Sequence, residues 1–159
     1  MNIKNKKKNN KDGFALLYAI MISSILLAIG LGVGNIAFKE IKFSTSAKDT
    51  NDAFFAADTG AECALYYDKL DQSKNAFTGS VMMDCVNRPI IPIESSPSVW
   101  TFTIMGLGSE EKGCTKVIVD KVNVTPSLTT KITSRGYNNA GANCIPTLNS
   151  VERLLEVNY

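Results

Sequence analysis

Residues 13–38 contain no charged side chain, and this apolar block is the strongest pattern along the chain. As a helix rising 1.5 Å per residue, about 26 residues reach about 39 Å, enough to cross a hydrocarbon core of about 30 Å. After Lys39 the chain becomes polar but keeps a helical period. Ala47, Phe54, Ala57, Ala61 and Leu65 recur at helical spacings and predict one apolar stripe. No proline occurs before Pro89, and Asp71-Gln72-Ser73 offers a stop, so one continuous helix is predicted from Phe14 to Leu70.

From Ser73 onward the period shortens to two. Residues 99–105 alternate and set Trp100, Phe102 and Ile104 on one face. Residues 114–124 are rich in β-branched side chains and lead into the turn Thr125-Pro126-Ser127, after which residues 129–137 return. Residues 151–159 turn Val151, Leu155, Val157 and Tyr159 to one side. Four main strands are therefore predicted, antiparallel because the links are too short for parallel crossovers. The predicted fold is α+β. A long N-terminal helix, with a membrane-spanning half (14–38) and an amphipathic half (39–72), packs against a small antiparallel β head (73–159).

Charge sharpens this picture. Five of the 17 basic residues (Lys4, Lys6, Lys7, Lys8 and Lys11) precede Gly13, against one acid, Asp12. That segment's +4 set against the chain's +2 leaves the rest at −2, so the basic character belongs to the leader and gives the head no nucleic-acid footprint. By the positive-inside rule the lysines stay cytoplasmic and everything after Lys39 lies outside. An ordinary secretory signal, cleaved near Ala28-Ile29-Gly30, is the alternative. Against it, the apolar run continues through Leu31, Val33, Ile36 and Phe38 into the helix beyond.

The chain has no histidine, which removes the commonest general base and metal ligand. No nucleophile–base pair or acidic calcium loop is present, so no catalytic residue, metal or cofactor is expected. The four cysteines, Cys63, Cys85, Cys114 and Cys144, form no C-x-x-C pair, and their even number behind an export-type segment predicts two disulfides in an oxidising compartment. Four cysteines allow three pairings. A hairpin turning at Pro126-Ser127 brings Cys114 opposite about residue 139, which favours Cys114–Cys144 and leaves Cys63 for Cys85.

The segment Lys11-Asp12-Gly13-Phe14-Ala15-Leu16-Leu17 resembles the cleavage site of type IV prepilin (class III) leaders. The resemblance implies cleavage after Gly13 by a membrane prepilin peptidase and N-methylation of Phe14. It also implies assembly through a helix that includes Leu16, Leu17, Tyr18, Ile20, Ile22, Ile25, Leu26 and Leu27. Asp52-Ala53-Phe54-Phe55-Ala56-Ala57-Asp58-Thr59-Gly60-Ala61-Glu62 is similar to a stretch of PilX-type minor pilins, and the two likenesses cover about the first 60 residues. Pilins usually carry glutamate at the fifth mature position, where this chain has Tyr18. A carboxylate in hydrocarbon needs a partner charge, so its loss suits a subunit that primes or caps a fibre, or a divergent family that solves the charge problem differently. The implied partners are other pilin subunits, the pilus assembly machinery and the cytoplasmic membrane before export to the cell surface.

Weaker signals complete the sequence. Gly30 and Gly34 form a GxxxG, a candidate helix-packing face. Asp58 and Glu62 are expected to be solvated at i,i+4. Asn123-Val124-Thr125 is a glycosylation sequon, and residues 136–142 are expected as a loop, either a contact surface or a simple link. A static membrane-anchored binding protein and a secreted enzyme or inhibitor are the rival readings.

Overall fold

The computed structural model describes residues 12–70, 74–79, 81–124 and 127–159. The lysine leader, the stop at 71–73, and Thr125 and Pro126 of the turn and sequon lie outside these residues. Helix α1 runs Asp12–Lys69, 58 residues without a break. The chain divides into two units, one ending at Ser44 and the other comprising Thr45–Tyr159. In the first, every described side chain from Phe14 onward is exposed. The helix is long and apolar enough near its start to cross a membrane.

In the second unit α1 turns a face of small residues onto a sheet. Ala53, Ala56, Ala57, Ala61 and Ala64 are buried, and so is Gly60. Their spacing of threes and fours is that of one helical stripe. Phe54, expected on that stripe, is instead 43% exposed, and Ala47 is also exposed. The reason is distance. A Cβ on Gly60 would stand 2.6 Å from Ser134 Oγ, and one on Gly136 would strike the Ala53 carbonyl oxygen and the Ala57 nitrogen. The backbones approach so closely that only small side chains fit between them, and Phe54 turns outward.

Two short strands, β1 (Met83–Asp84) and β2 (Pro89–Ile90), form a separate hairpin. The main sheet then follows as β3 (Ile93–Ser96), β4 (Val99–Leu107), β5 (Gly113–Val124), β6 (Ser127–Tyr137) and β7 (Glu152–Asn158). Each strand pairs antiparallel with the next in the chain. The four predicted strands are present, and β3 adds a fifth at the edge. Trp100, Phe102 and Ile104 share the buried face of β4. The β4–β5 register shifts between Met105 and Leu107, and Gly106 sits there at φ 69°. This bulge returns Leu107 to the inner face, where it is buried.

The core forms where β4, β5 and β6 meet α1, and its largest fully buried side chain comes from outside both. Phe77, in the excursion after the helix, is fully buried and lies edge-on to Trp100 and stacked on Phe102, with centroids 6.2 and 6.3 Å away. A smaller cluster on the opposite face of the sheet joins Cys114, Tyr137 and Cys144. Residues 136–142 are not a simple loop. Gly136 and Tyr137 complete β6, Ala140 bridges Pro146, and a short 3₁₀ turn spans Ala142–Cys144.

Candidate functional site

Phe14, Leu16, Leu17, Tyr18, Ile20, Ile22, Ile25, Leu26 and Leu27 are all exposed, from Ile22 at 40% to Phe14 at 78%. A helix apolar on every side needs a covering of lipid or of other helices. Its hydroxyls do not oppose this. Ser23 and Ser24 donate to the carbonyls of Ile20 and Met21 at 2.9 and 2.8 Å, so the helix itself satisfies them. Tyr18 points its ring out among these residues, and Gly30, Gly32 and Gly34 have open space where a Cβ would stand. Gly13 lies in the first turn of α1 beside Phe14.

The structure joins Cys63 to Cys85 and Cys114 to Cys144, with Cα–Cα distances of 6.0 and 5.7 Å. The first bridge ties the β1–β2 hairpin to α1. The second holds the segment after β6 against β5. Cys114 stands opposite Tyr137 in the ladder, two residues short of the expected 139, because β6 pairs to the end of its turn with Val124 opposite Ser127.

A polar hub near the end of α1 has no counterpart among the sequence expectations. Asp68, with a side chain 5% exposed, pairs with Lys121 at 2.5 Å and accepts the Tyr159 hydroxyl at 2.6 Å. Asn75 donates to the Asp68 carbonyl at 2.7 Å, and Thr130 donates to its carboxylate at 3.4 Å. Burial pushes the Asp68 carboxyl up, but the hydrogen bonds from Lys121 and Tyr159 and the Lys121 charge outweigh it and hold it below the ordinary range. Burial, then the bond to Asp68, pushes the Tyr159 phenol well above its usual value. The hub fastens the last turn of α1 to β5, β6 and the end of the chain.

Concavities mark the surface of the head among the described residues. The first, about 200 Å³, is polar and lies among Asp49, Asp52, Glu110, Lys112, Asn138, Asn139 and Asn149. Within it Glu110 meets Lys48 at 2.8 Å and Lys112 at 3.0 Å, and these bonds hold its carboxyl down to about 2. Ser109 donates to Asp52 at 2.9 Å.

The second is a groove of about 270 Å³ between the outward side of α1 and the β1–β2 hairpin, bordered by Thr59, Glu62, Tyr66, Tyr67, Asp84, Val86 and the Cys63–Cys85 bridge. The Tyr66 and Tyr67 rings stand at 88° with centroids 5.1 Å apart. Asp84 N–H donates to the Tyr67 hydroxyl at 2.8 Å, and that hydroxyl donates back to the Asp84 carbonyl at 3.3 Å, which fixes the ring. Glu62 is exposed, as the sequence suggests, whereas Asp58 is half-buried.

No family model, curated protein or solved structure matches this chain. What stands is the architecture: an apolar N-terminal helix long enough for a membrane, continuing into a disulfide-bonded antiparallel head.

Proposed function

We propose that this chain is a type IV pilin-like subunit, similar to PilX-type minor pilins, that joins a cell-surface fibre through residues 14–38. The observation that supports this most is the continuity of α1, which leaves its apolar start fully exposed and uses its later turns, without a break, to carry the head. In this reading the helix waits in the cytoplasmic membrane with its basic leader inside. Prepilin peptidase cuts after Gly13, Phe14 becomes the methylated amino terminus, and the helix then bundles with those of other subunits through the assembly machinery. The role is assembly and not catalysis.

Tyr18 gives the reading a position. Without a carboxylate, this subunit offers nothing to neutralise a neighbour's charged amino terminus inside an apolar bundle. A priming or tip place avoids that requirement.

Intact-mass measurement and N-terminal sequencing of membrane-extracted protein test the proposal, with and without the peptidase. The expected product begins at methylated Phe14 only when the peptidase is present. An uncleaved Met1 start would make the chain a static membrane-anchored binding protein, and a start near Leu31 would make it a secreted domain.

A further inference from the structure

We infer that the groove between α1 and the β1–β2 hairpin is a docking site for an arginine side chain presented by a partner protein. The inference rests on the head alone and stands apart from the fibre assignment.

The chemistry of the groove selects the occupant. Two tyrosine rings packed edge to face at 88° line it. Tyr66 is 63% exposed, so its face is open to a flat guanidinium. Such a face attracts a cation through the ring quadrupole, and arginine uses it more often than lysine because it stacks as well as attracts. Glu62 and Asp84 supply negative charge at the same place, and neither forms an ion pair among the described residues. Asp68, Glu110, Glu152 and Glu156 each pair with a lysine or arginine of this chain, and Glu62 and Asp84 stand outside those pairs beside the exposed Tyr66 ring.

The backbone adds a second, independent sign. The hairpin turn is closed by reciprocal bonds between Cys85 and Arg88, at 3.0 and 3.1 Å, and so places Val86 and Asn87 at φ 56° and 55°. Asparagine suits that conformation and a β-branched residue does not. Val86 nevertheless stands there, 56% exposed at the rim of the groove. An apolar side chain kept in an unfavourable backbone conformation at an exposed rim fits contact with the aliphatic stem of an incoming arginine. The Cys63–Cys85 bridge and the Tyr67–Asp84 bonds hold both walls in place before binding.

The test uses the full-length, ¹⁵N-labelled chain in lipid nanodiscs, titrated with N-acetyl-arginine amide and, as a neutral control, N-acetyl-norleucine amide. Arginine amide is expected to shift the amides of Glu62, Tyr66, Tyr67 and Asp84 saturably, and more weakly as salt is raised. Norleucine amide is expected to leave them in place. E62Q combined with D84N, and separately Y66L, are expected to weaken the arginine response about threefold or more. These side chains are exposed, and an intact Cys63–Cys85 bridge by mass, with an unchanged remainder of the spectrum, certifies the fold of each variant. The inference is overturned by an absent or non-saturable arginine response, by an equal response to norleucine amide, or by folded variants that bind as the parent does.

Discussion

Ser134, on β6, donates its hydroxyl to the carbonyl of Ala57, inside α1, at 2.6 Å. The same hydroxyl lies 2.9 Å from that of Thr115 on β5, so a helix and two strands meet at one buried oxygen. Gly60 and Gly136 flank this point and allow the close approach. Adding even a methyl group at Gly136 would press on the helix backbone, which has little freedom to yield. Gly136→Ala is therefore expected to cost about 3 kcal/mol or more, and Ser134→Ala about 1–2 kcal/mol through the lost bonds to the Ala57 carbonyl and the Thr115 hydroxyl, which keeps the Arg135 carbonyl as its other partner. Chemical denaturation followed by the single tryptophan, Trp100, measures both. Equal, small effects would mean that the seam relaxes.

Phe77 fills the core from a segment with no regular secondary structure. Phe77→Ala would leave a cavity between Trp100 and Phe102 and is expected to destabilise the head by about 3–5 kcal/mol. The Trp100 emission should also shift to the red in the folded state as water reaches the indole. A loss below about 1 kcal/mol would show that the excursion contributes little to the core.

The Asp68 hub gives stability a dependence on pH with a definite sign. Because its folded carboxyl lies below its unfolded value near about 4, its contribution is complete above that value and is lost as pH falls through the lower, folded one. Tyr159 acts in the opposite sense. Its folded phenol lies above the usual value of about 10, so its share is complete below that value and is lost as pH rises through the folded one. Melting curves across pH should show a plateau with losses at both ends. Asp68→Asn should lower the plateau by about 3 kcal/mol and flatten the acid arm, and Tyr159→Phe should flatten the alkaline arm. Arms unchanged in these variants would assign the pH dependence to other groups.

Val86→Asn tests the turn. Asparagine tolerates the left-handed conformation that Val86 occupies, so the variant should gain about 1 kcal/mol in thermal denaturation. If the groove takes an arginine stem, the same variant should bind N-acetyl-arginine amide more weakly while being more stable. A destabilised Val86→Asn would show that the valine packs favourably at the rim.

The elements with sustained periodicity were legible in the sequence. The charge-free run and the helical period after it gave the helix, alternation gave β4 and β7 with Trp100, Phe102 and Ile104 facing inward, and a β-branched run and the return after its turn gave β5 and β6. What stayed hidden depends on contacts that no local pattern encodes. The small residues Ala56, Ala57, Gly60 and Ala61 face the sheet, as their size allows, but Phe54, placed on the same stripe by its spacing, stays outside because the contact selects by size. The short strands β1 to β3 and the buried Phe77 sit in a stretch broken by polar and turn residues, where no period accumulates. Asp68 finds Lys121 and Tyr159 only once the sheet is formed, and the groove needs the hairpin folded back on α1. For the head's polar sites, the folded geometry was the only guide.

The spatial sequence of strands in the main sheet, β3 through β7, is also the temporal sequence in which a ribosome makes them. Every ladder closes between immediate neighbours, so no strand waits for a distant one, and the longest link, between β6 and β7, spans residues 138–151. The sheet can grow by one hairpin at a time, each new strand covering the open edge left by the last. The helix, made first, supplies the small-residue floor on which this growth proceeds, and the docking of Tyr159 against Asp68 comes at its end. Such an order shortens the interval in which an unpaired edge is available to a wrong partner.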